Sequence, residues 1–569
     1  MTPSLTAARL AERHRGTLDT ALETTRTRVH WSPHPENPKA YGGENTAVPG
    51  SQSVPEGAAA FEALRDTPFD LDQPALADRV GEEVSPYGFR LGIDYPRADL
   101  EALLPAMRAA MPGWRAAGPE LRALACVEIL ARLNARTPEI AHAVMHTTGQ
   151  AFMMAFQAGG PHALDRGLEA VARAYDEQTR LPERMRWTKP DKRGPVELDK
   201  EFVPVGRGVS LLIGCNTFVT WNGYPGLFAS LATGNPVLVK PHPRAVLPLA
   251  LTVRIARETL AEAGFDPNLV ALAVEGDGEG IAKELALRPE VRIIDYTGSA
   301  SFGEWLEGNA TQAQVYTEKA GVNTVVIDST DSYRAMLGNL AFSLSLYSGQ
   351  MCTTPQNLLI PRDGIDTDEG RKTFTEVTAD LAAAVDKLLG DDARAAAVLG
   401  AVVNPQVLER IEKAPEQGEA VLTSRAVPHA EHPDATIRTP VSVALDGSSA
   451  DAEGVHQAEC FGPVSFAVAT DSTADSIALL RRTVRERGAM SVGGYTTSPE
   501  VERELVEACL DECAQLSLNL TGSVLVNQTS AFSDLHGSGG NPAANVALVD
   551  AAFIANRFRT VEILSLIHI

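Results

Sequence analysis

Ser348-Gly349-Gln350-Met351-Cys352-Thr353-Thr354-Pro355 presents a thiol on a small, glycine-bearing stretch between a helical segment and a strand-like run. A cysteine thiolate is a strong nucleophile. A buried neutral thiol is only a packing group, and on residue type alone that second reading is the commoner one. Gln350, Thr353 and Thr354 make the setting more polar than a packing cysteine needs. Upstream, Tyr316-Thr317-Glu318-Lys319-Ala320-Gly321-Val322-Asn323 sets a carboxylate just before the strand-like Thr324–Ile327. A lone glutamate in a turn is ordinarily a solvated surface charge. A third stretch, Asp295-Tyr296-Thr297-Gly298-Ser299-Ala300-Ser301-Phe302-Gly303, reads as strand, glycine-bearing turn and helix start, which can cradle a phosphate or a nicotinamide. Its G-x-x-x-x-G spacing is not the dinucleotide fingerprint; Gly276, Gly278 and Gly280 are wrongly spaced for it too, and read as a turn.

The elements that must position these groups change in texture along the chain. Residues 5–26 carry Leu, Ala and Arg at helical spacing, and Trp31–Gly50, rich in Pro, Asn and Gly, reads as extended or looped. A helical region follows from Ala98 to Glu177, with breaks expected near Pro112 and Pro138. From Phe202 onward, short apolar runs alternate with helix-like stretches: Gly208–Gly214, Pro236–Lys240, Leu269–Val274 and Val291–Tyr296. That alternation predicts an α/β fold with a parallel sheet and crossover helices. Further strand-like runs fall at Thr324–Ile327, Asn357–Ile360, Val464–Val468 and Val524–Val526, and Gln417–Asp451 reads as surface loops.

With 569 residues the chain is too long for one growing core, so two or more domains are expected. The net charge of −23 repels phosphate backbones and predicts no nucleic-acid partner. No apolar run is long enough to span a bilayer and the polar first residues do not form a signal peptide, so neither membrane nor export is expected. Six scattered cysteines fit a reducing cytoplasm better than a disulfide framework. Cys509 and Cys513 lack further ligands at zinc spacing and read as helix packing, and no metal is expected.

Taken together and in order, these blocks resemble the aldehyde dehydrogenase superfamily from about Ala98 to Val561. The match runs through Gly234-Asn235-Pro236-Val237-Leu238-Val239-Lys240-Pro241, then Thr297-Gly298-Ser299 with Gly303, Glu318, and Gly349-Gln350-Met351-Cys352. It closes on Glu459-Cys460-Phe461-Gly462-Pro463-Val464, which is similar to the family's E-x-F-G-P-V. Glu318 and Cys352 are 34 positions apart (352 − 318), a spacing that suits the family's catalytic pair. Trp31-Ser32-Pro33-His34-Pro35-Glu36-Asn37-Pro38-Lys39 and the segment Thr220–Ser230 further resemble the branch named for phenylacetic acid degradation, the PaaN type.

The resemblance implies a three-part fold: a parallel-sheet cofactor domain, an α/β catalytic domain and a small β oligomerisation element. On this chain these would be residues 96–193 with 206–319, residues 320–545, and residues 194–205 with 555–569, with 1–95 packed on the cofactor domain. It implies that Cys352 attacks an aldehyde, that NADP or NAD takes the hydride, and that Glu318 activates the water that hydrolyses the thioester. Lys240, Gly298, Ser299, Gly303, Glu459 and Phe461 would hold the cofactor. Where NAD-preferring relatives place a glutamate after the lysine, this chain has Pro243 and then Arg244, which leans toward NADP. The side-chain donor to the oxyanion stays open among Asn222, Thr217 and Asn216. A homodimer or homotetramer is implied, and the aldehyde would be a ring-opened semialdehyde, or its coenzyme A thioester, from aromatic catabolism. Release of the acyl group by coenzyme A, and a non-catalytic relative, are the competing readings; Glu318 argues against the first and the intact Cys352, Glu318 and Glu459 against the second.

Overall fold

The computed structural model describes residues 5–44, 46–276, 278–319, 321–522 and 530–567. Five short, buried strands build the first sheet, in the order Val270–Leu272, Val237–Lys240, Val209–Ile213, Val291–Gly298 and Gln314–Lys319, all parallel. Strands buried on both faces need apolar residues throughout, which is why Val209–Ile213 and Val237–Lys240 read as unbroken apolar runs. Helices cover both sides. The chain leaves Val209–Ile213 toward one edge and returns at Val291 to build toward the other. Strand order therefore reverses between those two neighbours, and a crevice opens at their carboxyl ends.

The second sheet runs Glu419–Leu422, Val441–Asp446, Val464–Thr470, Asn357–Pro361, Thr324–Ile327, Val492–Tyr495 and Leu516–Leu518, with only the first strand antiparallel. Two of these strands, Glu419–Leu422 and Val441–Asp446, lie in the region expected to be loops. The polar residues that suggested a loop belong to the connection between them. Expected strand Val524–Val526 lies outside the described residues. A separate antiparallel sheet pairs Val196–Gly206 with Arg184–Lys189 on one side and Phe558–Leu566 on the other.

The helical region also departs from its expected breaks. Pro112 sits inside the helix Leu100–Ala116, and the interruption comes instead at Gly118, whose φ is +75°. Pro138 falls in the first turn of Thr137–Thr148, where its missing N–H costs no hydrogen bond. Segments of the first hundred residues dock at several places: the Tyr87 ring meets that of His432 at 5.0 Å, and two further contacts reach the region around the first sheet. Helix Ala7–Thr27 docks through Arg13 and His14 onto buried Glu128, at 3.0 and 2.6 Å. Gln73 caps the open edge of the first sheet, donating to the carbonyl of Leu272 at 2.7 Å and accepting its N–H at 2.9 Å. Among the described residues, no helix is long and apolar enough to cross a membrane.

Candidate active site

Cys352 is delivered by a strained turn. After the helix Tyr333–Ser345, Tyr347 and Ser348 adopt left-handed backbone at φ 52° and 49°, followed by Gly349 at φ +60°. Each non-glycine residue held there costs about 1–3 kcal/mol, so the surroundings must over-determine the turn. They do: Ser348 Oγ donates to the Leu399 carbonyl at 3.1 Å, and the Tyr347 hydroxyl donates to that of Thr148. Gln350 donates to Ala401 at 3.1 Å and accepts the Val403 N–H at 3.0 Å. A Cβ on Gly349 would lie 2.5 Å from the Gly462 carbonyl oxygen, so glycine is required where this loop meets the Glu459–Val464 segment.

Asn323 fixes the other side of the loop. Its Nδ2 donates to the carbonyls of Cys352 at 2.6 Å and Thr354 at 3.0 Å, while its Oδ1 accepts the N–H groups of Met490 and Ser491. One buried amide thus ties the cysteine loop to the strand Val492–Tyr495.

Glu318 lies on the last strand of the first sheet, and that strand's open edge is covered by the segment from His536 to Leu548. Lys319 N–H donates to Ala543 at 2.6 Å, Thr317 N–H to Asn545 Oδ1 at 2.8 Å, and Asn545 N–H to Thr317 at 3.1 Å. This docking brings in His536, a residue that no sequence motif marks. Its Nε2 is 3.0 Å from Glu318 Oε1 and 3.5 Å from Cys352 Sγ, and the reactive atoms of the three groups lie within 4.8 Å of one another. The Trp221 ring meets the imidazole edge-on at 4.7 Å, and Nδ1 is buried without a hydrogen-bond partner.

The electrostatics of this cluster are set by burial. Burial raises the Glu318 carboxyl, but the His536 charge and hydrogen bonds from His536, Cys352 and Asn222 outweigh it and leave the group below its ordinary range. Burial pushes the Cys352 thiol far up, and the Glu318 carboxylate adds to that. The carboxyl is therefore biased toward its ionised form and the thiol toward its protonated form.

Two clefts meet at Cys352. One, about 230 Å³, is lined by Asn216, Thr217, Gly298, Ser299, Glu459 and Phe461, and opens at the carboxyl ends of the first sheet. The other, about 450 Å³, is walled by Trp31, Met154, Phe218, Trp221, Phe342 and Leu346, with Glu36, His162 and Asp165 also in its lining. Phe218, Asn222 and Cys352 belong to both. Of the three oxyanion candidates, Asn222 donates to Glu318 Oε2 at 2.8 Å, Thr217 Oγ1 faces Cys215 Sγ at 3.8 Å, and Asn216 lines only the first cleft.

The first cleft has features that suit a dinucleotide. Gly298 and Ser299 stand at the N-terminus of the helix Ala300–Asn309, whose free N–H groups and dipole favour a diphosphate. A Cβ on Gly298 would lie 2.4 Å from the Tyr296 hydroxyl, which donates to the Ser299 carbonyl. Gly303 leaves room for the Lys319 stem, 2.7 Å from where its Cβ would be. Glu459 reaches solvent in the cleft, yet enough protein surrounds it that its carboxyl is raised, with Arg410 opposing. Phe461 is half-buried beside it, and its carbonyl accepts from Arg410 at 2.8 Å. Lys240 ends its strand buried and ion-paired with Glu275, a carboxylate not singled out from the sequence. Arg244 is half-buried in the following turn, its N–H donating to His242 Nδ1 at 3.2 Å. The other cysteines divide: Cys509 packs in the core, whereas Cys513 lies beyond the end of the helix Pro499–Asp511 and is exposed, so that pair does not pack together.

Residues 93–492 match the model of the aldehyde dehydrogenase family. A crystal structure of an NAD-dependent aldehyde dehydrogenase from Burkholderia multivorans superposes with a TM-score of 0.94 at 52% identity, over 98% of this chain and 99% of that one. The fold is shared more distantly with 1-pyrroline-5-carboxylate dehydrogenase from Thermus with bound NAD, at 18% identity and a TM-score of 0.66, over 90% and 95% of the two chains. Among curated proteins, the 1-pyrroline-5-carboxylate dehydrogenase of Bacillus subtilis (strain 168) is 28% identical over 280 residues, 47% of this chain and 52% of its own length. Aldehyde dehydrogenase LUC3 of Fusarium sp is 30% identical over 148 residues, 26% of this chain and 31% of its own. The chain thus spans about a third to a half of the length of these curated relatives. With the family model covering residues 93–492 and the thiol and carboxylate meeting where two clefts join, the chain belongs to the aldehyde dehydrogenase family.

Proposed function

We propose that this protein oxidises an aldehyde to a carboxylic acid with NAD or NADP, through a covalent thioester on Cys352. One observation carries the reading: Cys352 and Glu318, remote in sequence, share a buried cluster at the junction of a substrate-sized cleft and a cleft with a helix N-terminus. The Cys352 sulfur attacks the aldehyde carbon, and the oxyanion that forms is stabilised by the Cys352 N–H and by Asn222, whose amide already donates to Glu318. Gly298, Ser299, Glu459 and Phe461, with Lys240 beyond the cleft lining, would hold a nicotinamide cofactor, which would supply the hydride acceptor. Glu318, ionised by its hydrogen bonds, then takes a proton from the water that attacks the thioester.

The second cleft, with apolar and aromatic walls and charged groups also in its lining, supports an aldehyde with an apolar body and a polar tail. A ring-opened semialdehyde from phenylacetate breakdown, free or as its coenzyme A thioester, has that character. Trp31, from the segment that resembles the PaaN branch, lines this cleft. For the adenosine ribose, Pro243 and Arg244 support NADP, whereas the Lys240–Glu275 pair and the name of the Burkholderia relative support NAD. A homodimer or homotetramer is supported by the Phe558–Leu566 edge, where Val561, Ile563, Leu564 and Leu566 are all exposed. Six unbonded cysteines support the reducing cytoplasm. An aldehyde panel with each cofactor, followed by reduced-cofactor absorbance, tests the reading. Turnover that is abolished in Cys352→Ala is expected, and turnover that persists in that variant overturns it.

A further inference from the structure

We propose that His536 is a catalytic residue, the proton acceptor that converts the Cys352 thiol to thiolate. The inference rests on the function proposed above, because it concerns how the same nucleophile is generated. Two groups within reach of the sulfur can take its proton, Glu318 and His536. If the proton goes to Glu318, the product is a buried thiolate beside a neutral acid, with nothing to balance the new charge. If it goes to His536, the product is an imidazolium whose Nε2–H lies between Sγ, at 3.5 Å, and Glu318 Oε1, at 3.0 Å. One cation between two anions is the better-compensated arrangement in a site this dry.

The step balances without any co-reactant. The S–H bond breaks, an N–H bond forms at Nε2, and nothing is oxidised or reduced. Nε2 is the accepting atom, so the tautomer that reacts is the one with its ring proton on Nδ1 and the Nε2 lone pair facing the thiol at 3.5 Å. After transfer both nitrogens carry hydrogen, and Glu318 anchors the one nearest the sulfur. Asn222 completes the anchor by donating to the second Glu318 oxygen at 2.8 Å. The imidazole is fixed by the Trp221 ring at 4.7 Å and by paired backbone hydrogen bonds between His536 and Leu548, at 2.7 and 2.9 Å. The ionisable groups around it are Glu318, Cys352, Cys215 next to Asn222, and Arg166 over the Trp221 ring, itself ion-paired with Glu169 and Asp534. Burial and Glu318 hold the thiol protonated, so the positive charge that His536 gains is what the thiolate requires.

The test is the pH dependence of alkylation by iodoacetamide in the full-length protein, read as mass added at Cys352 and, in the same sample, at exposed Cys513. In wild type, Cys352 alkylation should level off at a lower pH than the roughly 8.5 of an ordinary thiol, with Cys513 as the internal comparison. His536→Gln should slow Cys352 alkylation at neutral pH by about tenfold or more and restore the ordinary profile, with Cys513 unchanged. Glu318→Gln should keep an early plateau while acyl-enzyme hydrolysis slows. A wild-type Cys352 profile that tracks Cys513 overturns the proposal without any variant. So does an early plateau that survives His536→Gln and vanishes in Glu318→Gln, which would make Glu318 the acceptor. Neither outcome touches the dehydrogenase reading, which fails only if Cys352→Ala still turns over aldehyde.

Discussion

Asn323 is expected to hold the nucleophile in place without touching substrate, and its substitution separates that role from mere stability. Asn323→Asp keeps an oxygen for the Met490 and Ser491 N–H groups but loses the donor to the Cys352 and Thr354 carbonyls, now 2.6 and 3.0 Å away. Each carbonyl left unpaired in this buried site costs about 1–3 kcal/mol, and the new carboxylate repels both. The loop can relieve that only by moving away, and a displacement of about 1 Å at a reacting atom is enough to cost about 100-fold in rate. In Asn323→Asp, kcat should fall by about that factor with the cofactor Kd unchanged within about twofold, since Gly298 and Ser299 are held by another element. Asn323→Ala, which strips all four bonds, should lower the melting temperature further than Asn323→Asp does. Steady-state kinetics, cofactor titration and thermal melting of the two variants make the comparison. A wild-type kcat in Asn323→Asp would refute the positioning argument.

Three further outcomes follow from the packing. Arg557 is fully buried, donates to Asp295 at 2.5 and 2.8 Å and stabilises a pair whose separation leaves a bare charge, so Arg557→Met should destabilise by about 3–5 kcal/mol. Adding Asp295→Asn should recover part of that loss in melting experiments, and no recovery would contradict the pairing. Trp31 meets Phe532 edge-on at 5.3 Å in the wall of the larger cleft, so Trp31→Ala should raise the KM for the best aldehyde by about tenfold and leave cofactor binding alone. Burial raises the Glu128 carboxyl, but hydrogen bonds from His14 and Arg132 with the charges of His14 and Arg13 outweigh it and bring it from 4.5 to about 2. A carboxyl depressed by folding stabilises above its unfolded value and loses that contribution as pH falls through the folded one. The gap in melting temperature between wild type and Glu128→Gln should therefore shrink between about pH 4.5 and 2; a constant gap would contradict the linkage.

The sequence showed the thiol, the carboxylate and the glycine turn because each stands in a short local pattern whose neighbours are constrained. Buried parallel strands such as Val209–Ile213 were legible for the same reason: both faces are covered, so every residue is apolar. His536 was not legible. It lies 184 positions beyond Cys352 and 218 beyond Glu318, in a Gly537-Ser538-Gly539-Gly540-Asn541 stretch that reads as a loop. The pairing of Ala543–Asn545 with the strand Gln314–Lys319, and of His536 with Leu548, brings it home, and a one-residue imidazole leaves no periodic trace. Its signal was a lone histidine heading a glycine cluster, which common loops share. Glu275 escaped likewise, since a glutamate before glycines looks like an ordinary turn until Lys240 is found against it. The strands within 417–451 were masked by short length and polar flanks, and Pro112 suggested a break that tertiary packing overrode.

The central claim is that hydride leaves from an adduct on Cys352 and that Glu318 acts as general base only afterwards. Mixing Glu318→Gln with cofactor and the best aldehyde, while following absorbance and the mass of the Cys352 peptide, tests it directly. A burst of reduced cofactor equal to the enzyme concentration is expected, then a stall with one acyl group on Cys352. A slow rise with no burst, or an acyl group on any other residue, would contradict it.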